Sequence, residues 1–193
     1  MLFFMGESNV GWVHNEGTNG AKSMLIMWHK DAFRCDSQVE GKGFITIYGQ
    51  HLKSKVLCAV VNVYATCHLK DKVALWEDLS SIRSVNQDLA WCFCGDFNVV
   101  RRASERKGSS ERGSQKNEIR GFNSFINRNF LVELLIMDKK FTWFKANGST
   151  KSRVDRALVY DGWLQSWPNC KQYVQLREVS DHYTLMVKSV DNN

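Results

Sequence analysis

An apolar run that ends in a glycine and two polar side chains constrains the fold more than any other stretch. Leu89-Ala90-Trp91-Cys92-Phe93-Cys94 is apolar and β-prone, which predicts a buried strand. Gly95 ends this run, and Asp96 and Asn98 follow at the end of the strand, where ligands of α/β sheets collect. A carboxylate and a carboxamide at this spacing can meet one phosphate, but the same pair is common in plain turns.

The composition is that of a globular domain with a basic balance. The 193 residues are 44% hydrophobic and 24% charged, enough for one domain with a sizeable core. The net charge of +6 permits a polyanion partner without requiring one. No stretch approaches the length of a membrane span, and Met1-Leu2-Phe3-Phe4-Met5 lacks the basic region of a signal peptide. We therefore expect no membrane partner.

The cysteines favour a reducing compartment. None of the six forms a C-x-x-C pair, and Cys58, Cys92 and Cys94 lie inside apolar runs. Free core thiols are therefore expected rather than zinc ligands or disulfides, in an intracellular protein.

Short apolar runs between turn residues predict most of the strands. Residues 10–13 and 24–28 predict a strand pair, and residues 44–52 and 56–65 a hairpin whose second strand is central. Single strands are expected at 91–97, 131–136, 171–176 and 184–188. A second hairpin is expected from residues 141–144 and 152–159, which flank Asn147-Gly148-Ser149.

Helical spacing of apolar residues occurs in two segments, 71–85 and 117–129. Between these helices, residues 101–116 are polar and basic and predict a loop. Strands outnumber helices, and neither a linker nor a repeat divides the chain. We predict one α+β domain over residues 1–193, with two packed sheets and outer helices.

Polar residues follow several of the predicted strands, and together they provide what phosphodiester cleavage needs. Such a site requires a group that prepares a water, a cation that offsets phosphate charge, and hydrogen-bond donors. Each residue also has a structural alternative: a tyrosine at a strand end, an aspartate paired with an arginine, or a turn. The candidates are Tyr64, Asp96, Asn98, Asp155, Asp181 and His182.

Four motifs in order resemble those of the endonuclease/exonuclease/phosphatase superfamily. The chain is most similar to the apurinic-type endonuclease domain of plant LINE-type (non-LTR) retrotransposons. That narrower resemblance rests on Phe141-Thr142-Trp143, Lys151-Ser152-Arg153 and the stretch 163–168. The superfamily motifs are Asn62-Val63-Tyr64-Ala65, Cys94-Gly95-Asp96-Phe97-Asn98, Ser152-Arg153-Val154-Asp155-Arg156 and Ser180-Asp181-His182.

The resemblance implies a DNase I-like four-layer α/β/β/α sandwich that hydrolyses DNA phosphodiesters with Mg²⁺ or Mn²⁺, and a nuclear location. It assigns water activation or orientation to Asp96 and phosphate binding to Asn98. It gives Tyr64 phosphate binding or leaving-group protonation. Asp155 would orient His182, which would contact the phosphate. Metal binding falls to Asp181 and Asp96.

The start of the chain departs from the family. The resemblance implies a first strand, a helix and a strand ending in a metal-binding glutamate. Glu7 lacks the neighbours of that glutamate, and Gly20-Ala21-Lys22-Ser23 replaces a glycine-rich turn. We therefore expect a domain that is incomplete at its N-terminus and lacks the first strand and helix. Such a domain would be poorly soluble, bind metal weakly and cleave slowly.

Basic residues after Asn98 predict a nucleic-acid contact beside the site. Two other functions remain open: a truncated copy without catalysis, and a basic nucleic-acid-binding module that needs no metal. A sugar-phosphate or lipid phosphatase is a lesser alternative. The predicted nucleic-acid-binding residues are Asn62, Arg101, Arg102, Arg106, Lys107 and Arg112.

Overall fold

The described residues form fourteen strands in four sheets and three α-helices. The computed structural model describes residues 9–16, 23–108, 114–175 and 180–189. The strands are β1 (Val10–Asn15), β2 (Met24–His29), β3 (Phe33–Gly41), β4 (Phe44–His51), β5 (Leu57–Tyr64), β6 (Ala90–Asp96), β7 (Arg106–Lys107), β8 (Val132–Glu133), β9 (Ile136–Met137), β10 (Trp143–Phe144), β11 (Lys151–Ser152), β12 (Asp155–Val159), β13 (Cys170–Val174) and β14 (Leu185–Ser189). The helices are α1 (Leu69–Val85), α2 (Ser114–Arg128) and α3 (Asp161–Ser166).

A six-stranded sheet in the order β3-β4-β5-β6-β12-β8 forms the centre of the fold. Strands β5 and β6 are parallel and are joined through α1, whereas β12 runs antiparallel to β6. The continuous apolar runs of β5 and β6 fit strands that are covered on both faces.

Helices α1 and α2 contribute to one hydrophobic core with the central sheet. Trp76 of α1 stacks on Phe125 of α2, with ring centroids 6.4 Å apart, and Phe93 of β6 meets the same phenylalanine edge to face. All three side chains are buried. This core explains the spacing of apolar residues along α2. In α1 the buried face also contains Lys72 and Arg83, and Val73 is exposed.

Two further cores join the central sheet to smaller sheets and to α3. The antiparallel pair β1–β2 packs through Val13 and Met24 against residues of β3, β4 and β5. The sheet β14-β13-β9 packs through Cys170 and Val187 against β6 and β12, and Trp163 of α3 belongs to both cores. The described residues thus form mixed sheets with few helices, which confirms the predicted α+β class.

The outer face of β1–β2 is open. Trp12 and Met27, which are direct partners across the pair, are 60% and 51% exposed. The described residues therefore place no helix over these two strands, and the fourth layer of the sandwich stays a prediction. No described helix combines the length and apolarity that crossing a membrane requires.

Most predicted elements are confirmed, but several boundaries were wrong. The predicted loop 101–116 contains a 3₁₀ turn (Ala103–Glu105) and β7, and α2 already begins at Ser114. The single strand expected at 131–136 is two short strands in different sheets, β8 and β9. The predicted strand 152–159 breaks after Ser152, since β11 pairs with β10 while β12 joins the central sheet. Strand β3 and helix α3 were not predicted.

Candidate active site

Three neighbouring strands place three predicted site residues in one row. Tyr64 at the end of β5 lies opposite Asp96 at the end of β6. Asp155 at the start of β12 lies opposite Asp96 from the other side. Residues directly opposite one another share a face of the sheet, so a phenol and two carboxylates meet at its edge.

Gly95 allows β5 and β6 to approach each other just before this row. Its φ is +133°, a conformation that L side chains rarely adopt, and a Cβ atom there would collide with the carbonyl oxygen of Val63. The glycine of the Gly-Asp-Phe-Asn motif therefore has a backbone function: it lets β6 pass close to the backbone of Val63 directly before Asp96.

Asn98 is held in a left-handed turn beside Asp96. Its φ is +50°, which asparagine tolerates better than most residues. The Asn98 N–H donates to Asp96 Oδ1 at 2.7 Å, and its side-chain amide donates to the carbonyl of Ala65 and to Cys67 Sγ, both at 3.3 Å. These bonds fix both polar side chains of the motif relative to β5.

His182 reaches the row from the C-terminal part of the chain. Its Nδ1 lies 3.1 Å and 3.0 Å from the two carboxylate oxygens of Asp155, and its Nε2 lies 3.9 Å from Asp96 Oδ2. Burial lowers the pKa of His182, but the hydrogen bond and charge of Asp155, with the charges of Asp96 and Asp181, outweigh burial and raise it. The site therefore favours the charged imidazolium.

A small sheet, β10-β11-β7, forms the wall that presents His182. Trp143 of β10 pairs with His182 on one side and with Ser152 on the other, and Ser152 in turn faces Arg106. Arg106 Nε donates to Ser152 Oγ at 3.0 Å. The row His182–Trp143–Ser152–Arg106 thus lies on one face of this sheet.

These two rows enclose one pocket of about 370 Å³. Trp143 Nε1 donates to Asp181 Oδ2 at 2.8 Å, which holds this exposed carboxylate at the wall. The lining residues are Tyr64, Cys67, Asp96, Asn98, Arg106, Trp143, Thr150, Ser152, Val154, Asp181 and His182. Asp155 contributes through its contact with His182.

A cluster of ion pairs lies beside the pocket. Arg156, which is completely buried, donates to Glu105 Oε2 at 2.5 Å and to Glu133 Oε1 at 2.6 Å. Glu133 also pairs with Arg153 at 2.5 Å and with Arg101 at 3.0 Å. Glu105 accepts the N–H group of Arg101 as well, so the cluster ties the segment after Asn98 to β12.

The structure brings some of the predicted nucleic-acid-binding residues to the pocket and leaves others away from it. Arg106 lines the pocket, whereas Arg101 is engaged by Glu133 and Asn123. The side-chain amide of Asn62 donates to the carbonyl of Leu25 and so links β5 to β2. Arg102 and Lys107 are exposed. Arg112 lies outside the described residues, as do Glu7 and residues 20–22.

Sequence reasoning missed three features of the site. Trp143 appeared only as part of a resemblance, although its indole positions Asp181. Cys67 gave no signal, because it lies in a turn and meets Asn98 only through the fold. The Glu105–Arg156 pair joins residues 51 positions apart, which no local pattern reveals.

Several solved structures have a similar fold. The endonuclease domain of TRAS1, a telomere-specific non-LTR retrotransposon, superposes over 95% of this chain and 81% of its own, with a TM-score of 0.67 and 14% identity. An endonuclease/exonuclease/phosphatase family protein from Bacteroides thetaiotaomicron matches over 93% and 74%, with a TM-score of 0.60 and 16% identity. A mannosyl-6-phosphatase from the same organism matches over 95% and 78%, with a TM-score of 0.57 and 15% identity.

No protein-family model matches the sequence, and no curated protein does. Since the identities with solved structures are low, these likenesses concern the fold. The chain has the DNase I-like α+β fold that is shared by endonuclease/exonuclease/phosphatase proteins.

Proposed function

We propose that the protein is a divalent-metal-dependent hydrolase of nucleic-acid phosphodiesters, a DNA endonuclease of the LINE retrotransposon type. The observation that carries the proposal is the meeting of Asp155, His182 and Asp96 beside Tyr64 and Asn98 in one pocket. The carboxylate of Asp96, the charged imidazolium of His182 and the polar groups of Tyr64 and Asn98 then lie around one site that suits a phosphate group.

Each side chain has a defined task in this proposal. Asp96 orients the attacking water, and its own position is fixed by the N–H of Asn98. Asp155 fixes the ring of His182, whose Nε2 faces the pocket and donates to a nonbridging phosphate oxygen. The hydroxyl of Tyr64 donates to the phosphate or the leaving group. The side-chain amide of Asn98 binds the phosphate by exchanging its long contact with Cys67 Sγ for a phosphate oxygen.

The residues present fit a divalent cation. Candidate ligand atoms of Asp96, Asp155 and His182 lie within 4.8 Å of one another, but Asp155 and the charged ring of His182 bind each other, which leaves Asp96 as the carboxylate of this group that can hold an ion. Carboxylate oxygens are the ligands that Mg²⁺ and Mn²⁺ accept, and we assign them to Asp96 and, from the pocket wall, Asp181. When bound, the ion offsets charge on the phosphate and lowers the pKa of a coordinated water.

Arg106 is the proposed nucleic-acid contact with the strongest structural support. Its guanidinium is positioned by Ser152 and lines the pocket next to the phosphate site. Arg102 and Lys107 extend the positive charge along the same segment. We retain Asn62, Arg101 and Arg112 as proposed contacts of lower rank, since Asn62 and Arg101 already bond to other protein groups.

A phosphomonoesterase is the second candidate, because a mannosyl-6-phosphatase shares the fold. The two functions are distinguished by their substrates, a DNA phosphodiester or a small phosphate monoester. A nuclease will nick supercoiled plasmid in the presence of Mg²⁺ or Mn²⁺, and the same preparation will release little phosphate from a sugar phosphate. Metal-dependent phosphate release without nicking would favour the phosphatase. Salt-sensitive DNA binding without either reaction would favour a binding module or an inactive remnant.

A further inference from the structure

The small sheet that presents His182 has a second face with different chemistry. Side chains alternate across a strand, so the neighbours of the pocket-lining residues project to the rear. Next to Trp143, Ser152 and Arg106 lie Phe144, Lys151 and Lys107, and the ring of Tyr183, which follows His182, contacts the ring of Phe144. Register places Phe144 opposite Lys151 and Lys151 opposite Lys107.

Like charges directly opposite each other weaken a sheet unless an anion lies between them. Lys151 and Lys107 occupy such opposed positions, and Lys107 is exposed. Residues 139–151 contain four lysines and no acidic residue. The arrangement costs stability in the free protein and suits a ligand that carries repeated negative charge.

Aromatic rings are interleaved with these lysines. Phe144 and Tyr183 meet edge to face, with centroids 5.2 Å apart. Lys139 Nζ lies 4.3 Å from the centroid of Tyr183, and Lys151 Nζ lies 5.1 Å from that of Phe141. All three rings are half-buried, so they hold the ammonium groups in place and still offer ring surface.

We propose that this surface, the lysine–aromatic face (Lys107, Lys139, Phe141, Phe144, Lys151 and Tyr183), binds single-stranded nucleic acid. Lysines that track phosphates and aromatic rings that stack on bases are the two elements of sequence-tolerant single-strand binding. The proposal extends the proposed function and rests on it for the choice of nucleic acid as partner.

The position of the face favours a single strand over a duplex. Arg106 and Lys107 are consecutive residues of the edge strand β7, with Arg106 in the pocket and Lys107 on the rear face. A ligand that touches both must turn around the single edge strand β7, and neighbouring strands in a sheet are only about 5 Å apart. Duplex DNA has a persistence length of about 50 nm and does not bend so sharply, whereas a single strand does.

The test is fluorescence anisotropy with two probes, labelled single-stranded oligodeoxythymidine and a short labelled duplex, in EDTA so that no cleavage occurs. The variant Lys139→Gln/Lys151→Gln is compared with Lys30→Gln/Lys55→Gln, which removes two exposed lysines elsewhere with the same change in charge. Phe144→Leu removes the ring and keeps an apolar side chain. Thermal unfolding of each variant establishes that it is folded.

We expect the Lys139/Lys151 variant and Phe144→Leu each to lose about fivefold or more in affinity for the single strand. The salt slope for the Lys139/Lys151 variant should fall by about 1.4, or 0.7 for each lost lysine. The control variant and duplex binding should change less than twofold. An equal loss for the duplex, or an equal loss in the control, would overturn the proposal. Because binding is measured without cleavage, an inactive protein with this selective loss would contradict only the proposed hydrolysis.

Discussion

His182 and Asp155 form a hydrogen-bonded pair, with Nδ1 3.0 Å from Oδ2, although 27 residues separate them in the chain. Two different sheets supply the partners, since Asp155 begins β12 of the central sheet and His182 bridges to Trp143 of β10. The pair therefore depends on how the small sheet docks on the large one. It is also the contact through which Asp155 acts in the pocket.

The first prediction concerns the charge of His182 in the metal-free protein. Its pKa lies above the ordinary 6.5, so the imidazolium persists to higher pH, and the stability it contributes is lost as pH rises through that raised value. Asp155→Asn removes the negative charge that contributes most to stabilising the imidazolium, and it should therefore lower the pKa of His182. NMR titration of the ring in EDTA measures this. An unchanged midpoint would show that the pair is not formed in solution.

The second prediction concerns the glycine of the Gly-Asp-Phe-Asn motif. Gly95→Ala would place a Cβ against the backbone of Val63 in addition to its strained φ. We expect a loss of about 3 kcal/mol or more in the free energy of unfolding. Gly148→Ala is the matched control, because Gly148 also has a positive φ but open space around it, and it should cost about 1 kcal/mol. Chemical denaturation measures both, and equal losses would refute the steric account.

The third prediction tests the buried ion-pair cluster. Arg156→Met retains a side chain of similar volume but removes the positive charge that pairs with Glu105 and Glu133. Breaking one member of a buried cluster typically costs about 3–5 kcal/mol, and we expect a loss in this range. Arg34→Met, which breaks an exposed pair with Asp36, should change stability little. If both variants unfold at the same denaturant concentration, the cluster does not stabilise the fold.

The fourth prediction is a pH dependence of stability. Burial alone would raise the pKa of Glu133, but the charges of Arg156 and Arg153 outweigh burial and lower it below the ordinary 4.5. The stabilisation is present above 4.5 and is lost as pH falls through the lowered pKa. Stability of the wild type should therefore fall more steeply on acidification than that of Glu133→Gln. Parallel curves between neutral and acid pH would contradict this assignment.

The parts of the fold that follow from local pattern were predictable. The continuous apolar runs of β5 and β6 and the apolar stripe of α2 are displayed directly by the sequence. The spacing in α1 predicted a helix but not its buried face, which includes Lys72 and Arg83. The exposed strand β3 was missed because its sequence is mostly polar and only its pairing with β4 makes it a strand. The short helix α3 was missed because six residues with one tryptophan and a glycine show no clear period.

The polar residues of the candidate site were predicted from their position at strand ends and from the four motifs, and the structure brings Tyr64, Asp96, Asn98 and His182 to one pocket. Partners that are distant in sequence could not be predicted, because the binding of Arg156 to Glu105 depends on tertiary packing rather than on neighbours in sequence. The same limit explains Arg101, whose charge suggested a phosphate contact and whose guanidinium is bound by Glu133 and Asn123.

Nicking of supercoiled plasmid with Mg²⁺, Mn²⁺ or EDTA, followed over long incubations, measures whether this pocket cleaves DNA. His182→Ala is compared with the wild type and with His51→Ala, which alters a histidine at the far end of β4 from the pocket. We predict metal-dependent nicking that falls about a hundredfold or more in His182→Ala and persists in His51→Ala. Nicking that is absent from the wild type, or that survives equally in His182→Ala, would contradict the account.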